Sequence, residues 1–311
     1  MRTGTKKRTL PQRIALEFSR NHRLWVLLLP LLVYYLLFHY LPLYGIQIAF
    51  REYKGIYGIA GSPWVGLEHF SKFLTSYYSL RLIYNTFILN FIGIICSFPI
   101  PIVLAILINQ LSSDRFKRFS QTLIYIPHFI STVVMVGILY LFLSPSNGII
   151  NKVITLFGKE PIFFMIEPNW FRPVFIISDI WQHSGWSAIL YIATLTGIDP
   201  CLYEAASIDG AKKLQKIIHI DIPHLIPIAV MMLILSCGSM LGSNTDKTLL
   251  LQTSGNLATS DIIGVYVYSQ GLGKAQFSYT SAIGLFVNII NFITIISVNW
   301  VAKKVGETSL F

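Results

Sequence analysis

The chain has 311 residues, of which 54% are hydrophobic and 12% charged, and its mean hydropathy is +0.61. A soluble fold of this length cannot bury so much apolar surface, so the composition indicates an all-α integral membrane protein. The formal net charge is +10. The basic residues lie between long apolar runs and not among base-stacking aromatics on one surface, which argues against nucleic acid as a partner.

Six apolar runs divide the sequence, and each is long enough to cross a hydrocarbon core of about 30 Å. Because backbone polar groups must be satisfied internally in lipid, we expect six transmembrane helices. Pro99, Pro101 and Pro127 predict kinks. The approximate bounds of the runs are 24–43, 83–111, 119–142, 174–195, 225–241 and 279–301.

The distribution of basic residues predicts the orientation of these helices. With the N-terminus inside, the inner segments carry 15 of the 24 Lys and Arg residues and the outer segments carry 9. The positive-inside rule then places both termini in the cytoplasm. We therefore expect a basic cytoplasmic N-terminus over 1–23, a six-helix transmembrane domain over 24–301 and a cytoplasmic C-terminus over 302–311. The stretch 242–278 stays ambiguous, either at the outer interface or dipping into the domain.

The first apolar run is not followed by a small-residue cleavage site, so we interpret it as a retained transmembrane helix and not as a signal peptide.

A cytoplasmic loop after the fourth run has the pattern of two short helices. Gly210 supplies the backbone freedom for a turn between them. Beyond the turn, Ala211 and Leu214 fall on one helical face, and Lys212 and Lys216 fall on another. Such an amphipathic pair either fills a groove on a soluble partner or lies flat on the inner leaflet.

This loop, residues 200–223, resembles the EAA signature of ABC importer permeases. The signature is Glu-Ala-Ala, two residues, Asp-Gly-Ala, eight residues and Ile-x-Leu-Pro, and here Ile222 replaces the usual Leu. The resemblance implies a coupling helix that docks into a cleft of a partner ATPase, with Glu204 facing a basic group. The residues that it assigns to coupling are Glu204, Ala205, Ala206, Asp209, Gly210, Ala211, Ile220 and Pro223.

Further segments resemble sugar-type permeases. Residues 62–70 look like the first outer loop of that type, and 125–131, 148–151 and 197–200 look like the branch that imports oligosaccharides released from complex polysaccharides. The resemblance implies the ABC type I importer permease fold, in a subunit of an ATP-driven oligosaccharide importer of the bacterial cell membrane. The partners it implies are a second homologous permease in a heterodimer, two ATPase subunits and an extracytoplasmic solute-binding lipoprotein.

We expect ATP hydrolysis to be carried out by the partner ATPase and not by this chain. The segment most similar to a P-loop has Tyr268 where the motif needs Gly and Ala275 where it needs Ser or Thr. We therefore expect the partner ATPase to bind ATP and Mg, and we expect this chain to bind no cofactor. We find no nucleophile, base and orienter that could form a catalytic trio and no metal-ligand spacing, and we expect no catalysis and no metal site.

Polar groups inside the fourth run are candidates for the solute path. Ser178, Gln182 and Trp186 repeat at i, i+4. An aromatic face beside amide and hydroxyl groups suits a sugar, although packing between helices is the alternative. Asp179 is less favoured, because it falls near the outer boundary. The solute-path candidates are Gln182, Trp186, Asn85, Asn90, His128 and Ser131.

Two other functions remain open. One is an ABC permease for a non-sugar solute, and the other is an ion-coupled secondary transporter. Transporters of the second kind often show matching repeats and buried carboxylates, whereas this sequence has no visible repeat and few deep carboxylates.

Overall fold

The computed structural model describes residues 21–242 and 244–306. Most of the expected basic N-terminus and the end of the expected C-terminus lie outside the described residues. Within them the chain is helical, and the one β feature is an isolated antiparallel bridge between Arg51 and Trp64. The all-α class is therefore confirmed.

The helices are numbered here in chain order. The first, α1, His22–Tyr35, continues through a π-helical turn, Leu36–Tyr40, into a 3-10 segment, Leu41–Phe50. The others are α2 Gly58–Gly61, α3 Glu68–Leu74, α4 Ser79–Ser97, α5 Pro99–Asn109, α6 Asp114–Tyr125, α7 Thr132–Phe142, α8 Ile149–Leu156, α9 Pro168–Thr196, α10 Pro200–Ile208, α11 Lys213–Lys216, α12 Ile222–Gly238, α13 Thr245–Leu251, α14 Leu257–Ser260, α15 Ile263–Tyr268 and α16 Phe277–Val305.

Four helical stretches among the described residues have the length and apolar character of membrane spans. They are His22–Phe50, Ser79–Asn109, Lys213–Gly238 and Phe277–Lys304. The fourth predicted run lies in α9, whose 29 residues extend about 43 Å. Its middle is more polar than those four, because it carries Asp179, Gln182 and His183.

The third predicted run is not one straight helix. The helix Asp114–Phe129 meets α7 at 97°. Pro127 lies in a 3-10 turn at the break, and Ile130 is extended with ψ of 126°. The Ser131 hydroxyl then accepts from the backbone N–H of Val134 at 3.3 Å, which caps α7. Pro127 thus lies at a break much sharper than the predicted kink, because the 3-10 turn ends at Phe129 and a new helix is capped two residues later at Ser131.

Helix α9 forms the centre of the bundle and packs on several neighbours, α5, α6 and α12 among them. Its Ala188, with Ala105 of α5 and Leu225 of α12, belongs to a buried apolar cluster next to the 200–223 loop. A Cβ atom on Gly185 would lie 1.9 Å from the carbonyl oxygen of Ile124 in α6. Only glycine permits this approach of α9 to α6.

Candidate functional site

Helix α10 carries the EAA residues and is held at both ends by its own sequence. Its first turn is capped by the Asp199 carboxylate, which accepts from the N–H of Cys201 at 2.9 Å. At its end, Gly210 has a φ of 75°. The N–H of Ala211 bonds the Ala206 carbonyl at 2.8 Å, and the N–H of Gly210 bonds the Ser207 carbonyl at 3.1 Å. This Schellman-type ending reverses the chain at the glycine.

The two faces of α10 differ. Tyr203 and Ala206 pack inward against the apolar cluster of α5, α9 and α12. Glu204 is exposed on the opposite side. Ile208 is 87% exposed, and beyond the turn Leu214 is 66% exposed. An apolar surface with a carboxylate beside it is therefore presented away from the bundle, which is the chemistry of a docking surface.

The remaining coupling candidates divide between this surface and the core. Ala205 and Asp209 are exposed, and Ala211 is half-buried. Ile220 is buried in the apolar cluster, and Pro223 is exposed in the first turn of α12.

The second helix of the expected pair does not end before the membrane span. It runs without a break from Lys213 to Gly238 through the π-helical turn Ile217–Asp221. The wider π turn precedes Pro223, which has no N–H to donate to the helix.

A charged cluster that the sequence did not predict lies deeper in the bundle. The Nζ atom of Lys247 is 3.3 Å from Oδ1 of Asp179 and 3.1 Å from the carbonyl oxygen of Phe175. His183 Nδ1 lies 3.3 Å from the same Asp179 oxygen. Lys247 is 4% exposed. Burial of the ammonium group requires these partners, since an unpaired buried charge is very unfavourable.

Three cavities meet at Asp179. The largest, about 540 Å³, is also lined by His183 and Trp186. A second, about 230 Å³, is lined by Asn90. The third, about 360 Å³, is lined by Gln182 and Lys247 together with His183 and Asp179. The charged cluster therefore borders open space near the middle of α9, where a solute path would run.

Gln182 and Trp186 share a helix but have different environments. Gln182 is 3% exposed, and its Nε2 donates to the Ile130 carbonyl at 2.8 Å, at the break between α6 and α7. Trp186 is 46% exposed and stacks on His128, with ring centroids 4.5 Å apart and 7° between planes. Of the two, Trp186 is the one that offers an aromatic surface to a cavity.

The other solute-path candidates have mainly structural contacts. Asn85 donates to the carbonyls of Ala258 and Asp261 at 2.9 and 3.2 Å and accepts from Arg172 at 2.9 Å. Its amide therefore joins α4 to α9, through Arg172, and to α14 and the residue that follows it.

Asn90 donates to the Thr86 carbonyl at 2.8 Å and accepts from Asn244 at 3.3 Å. Among these four solute-path candidates, Asn90 lines one of the three cavities. The others, Asn85, His128 and Ser131, line none of them. Among residues 21–242 and 244–306, no group of three or more His, Cys, Asp or Glu side chains could hold a metal ion.

Comparison with known proteins identifies the class. A family model described as "binding-protein-dependent transport system inner membrane component" matches residues 90–307. The chain belongs to this family of membrane transport subunits, and the resemblance to sugar-type ABC permeases is confirmed.

Individual relatives match nearly the whole chain. The polygalacturonan/rhamnogalacturonan transport system permease protein YteP of Bacillus subtilis (strain 168) is 40% identical, over 98% of this chain and 95% of its own length. Protein LplB of the same organism is 36% identical, with 100% of both chains covered. A chain of a bacterial ABC transporter involved in import of the acidic polysaccharide alginate matches with a TM-score of 0.86 and 33% identity, over 94% of this chain and 99% of its own.

Proposed function

We propose that this chain is a transmembrane permease subunit of an ATP-driven importer and that residues 200–223 couple it to a separate ATPase. The observation that carries the proposal is the outward face of α10, where Glu204 and the almost fully exposed Ile208 lie beside each other in a loop with the EAA pattern. An exposed apolar helix face with a flanking carboxylate fits a groove with a basic rim.

The transmembrane arrangement that we propose has six crossings with both termini in the cytoplasm. Five of them are the four apolar spans and the bent pair of α6 and α7. Helix α9 is the sixth, because the loop that follows it leads directly into the span Lys213–Gly238. The proposed partners are a second homologous permease, two ATPase subunits that bind ATP and Mg, and an extracytoplasmic solute-binding lipoprotein. One solved relative of the chain is an alginate ABC transporter in complex with a periplasmic protein that holds an alginate pentasaccharide.

The solute that we propose is an oligosaccharide derived from a polysaccharide. YteP is named for polygalacturonan and rhamnogalacturonan transport, and the alginate transporter for an acidic polysaccharide. An acidic oligosaccharide is therefore favoured over a neutral one. Trp186 supplies a stacking surface, and Asn90, Gln182 and the charged cluster around Asp179 supply polar groups along the path.

Co-purification of the ATPase with the permease tests the coupling role. Glu204→Lys reverses a charge on the docking surface, so we expect the ATPase to be lost from the complex while the permease still reaches the membrane. Glu160→Lys makes the same change at an exposed carboxylate outside the loop and is the matched control. Full retention of the ATPase by Glu204→Lys would remove this surface from the coupling mechanism.

A further inference from the structure

Asp221 is a carboxylate buried at the junction of three elements. It has 0% exposure, and both of its oxygens accept hydrogen bonds. The Tyr203 hydroxyl of α10 donates to Oδ1 at 2.5 Å, and the Gln110 amide at the end of α5 donates to Oδ2 at 3.1 Å. Asp221 itself ends the π-helical turn that leads into α12. One carboxylate thus joins α10, α5 and α12.

The chemistry of this junction makes it stiff. A buried carboxylate is retained only when its oxygens are bonded, and bonds to a charged acceptor are stronger than neutral ones. Burial, and then the hydrogen bond to Asp221, raise the pKa of Tyr203 well above its ordinary value, so the hydroxyl stays a donor at neutral pH. Ala206, Ile108 and Ile220 pack as an apolar layer around the same joint.

The EAA pattern does not specify this residue. Asp221 occupies the unspecified position between Ile220 and Ile222, and Tyr203 lies immediately before the first residue of the pattern. The inward face of α10 is therefore tied to the bundle by residues other than those that resemble the signature.

We propose that Tyr203 and Asp221 are positioning residues for transport, which make the docked α10 and the ends of α5 and α12 move together. This inference rests on the proposed docking of the 200–223 loop. An ATPase that shifts α10 would move α12 through the Asp221 carboxylate and α5 through Gln110. Without the junction, α10 would still bind the ATPase but would slide on the apolar layer.

The test uses the assembled transporter in proteoliposomes, with its binding protein and an acidic oligosaccharide, and measures ATP hydrolysed per solute transported. For Tyr203→Phe we expect this ratio to rise by about fivefold, the lower end of typical coupling between two sites. ATPase co-purification should stay at the wild-type level. Tyr268→Phe, the same change in a tyrosine that lies outside the junction and lines none of the three cavities, is the matched control and should leave the ratio unchanged.

A second variant keeps the proposal falsifiable if Tyr203→Phe fails to accumulate. Asp221→Asn keeps an acceptor for Tyr203 but removes the charge, so it should raise the ratio by a smaller factor. A wild-type ratio in whichever variants assemble, or a parallel loss of ATP hydrolysis and transport with the ratio unchanged, overturns the inference. Failure of the wild-type permease to retain the ATPase would instead overturn the proposed docking itself.

Discussion

The ammonium group of Lys247 lies 3.3 Å from the carboxylate of Asp179, although 68 residues separate them in the chain. The contact attaches α13 to the middle of α9. Because Lys247 is 4% exposed and Asp179 borders all three cavities, the pair holds α13 at the edge of these cavities.

Removal of either partner should destabilise the protein more than removal of both. Asp179→Asn leaves the buried Lys247 ammonium without its counter-ion, and breaking a buried pair typically costs about 3–5 kcal/mol. Lys247→Met leaves Asp179, whose side chain is 29% exposed and which keeps His183 at 3.3 Å, so its cost is smaller. We expect each single variant to lower the midpoint of thermal unfolding in detergent, and the double variant to recover part of the loss.

The exposed ion pair between Arg81 and Asp261 provides the control. Its side chains are 41% and 16% exposed, so Arg81→Ala should cost about 1 kcal/mol or less. A direct interaction between Lys247 and Asp179 would be contradicted if the double variant lowered the unfolding midpoint by the sum of the two single-variant shifts.

Trp186 should contribute to oligosaccharide uptake and leave ATP hydrolysis intact. Trp186→Ala removes an aromatic surface from the 540 Å³ cavity, and we expect oligosaccharide uptake to fall by about 2- to 10-fold with basal ATP hydrolysis unchanged. Trp181 is 50% exposed on the same helix but lines none of the three cavities, so Trp181→Ala is the matched control. Equal uptake by wild type and Trp186→Ala would make this residue a packing residue.

The approach of α6 to α9 should depend on glycine. In Gly185→Ala the new Cβ would meet the Ile124 backbone, so the helices must separate, at a cost of about 1–3 kcal/mol. Gly284→Ala in α16 places its Cβ in open space and should be neutral or slightly stabilising. Thermal unfolding of the purified permease measures both. The idea fails if Gly185→Ala is as stable as Gly284→Ala.

The predicted topology places Cys201 on the cytoplasmic side. Cys201 is exposed at the start of α10. In a Cys96→Ser/Cys237→Ser background, a membrane-impermeant thiol reagent should label Cys201 in inside-out vesicles and not in intact cells. Cys201→Ser gives the background signal. Labelling in intact cells would reverse the proposed orientation.

Local features of the fold were predictable from the sequence. The apolar runs correctly located most long helices, because the length and apolar character of a span can be recognised from consecutive residues. The turn at Gly210 was likewise expected, since an ending of this kind needs a residue that adopts positive φ without strain. The sharp break at Ile130 was underestimated, because its sharpness depends on how Ser131 caps a new helix.

The polar contacts within the bundle were not predictable. The i, i+4 spacing of Gln182 and Trp186 does not predict their partners. Gln182 donates to the Ile130 carbonyl, and Trp186 stacks on the His128 ring. Lys247 belongs to the stretch 242–278, whose position the sequence left ambiguous, and its burial depends on the packing of α13 against α9. Such pairs join distant segments, so no local pattern marks them.

ATP-dependent uptake into proteoliposomes tests the central claim most directly. The vesicles would contain this chain with a partner permease and the ATPase, and the solute-binding protein would be added outside with a labelled acidic oligosaccharide. The account predicts uptake that needs internal ATP and the binding protein and is lost in Glu204→Lys. Uptake driven by an ion gradient without ATP, or ATP-dependent uptake that is undiminished in Glu204→Lys, would contradict it.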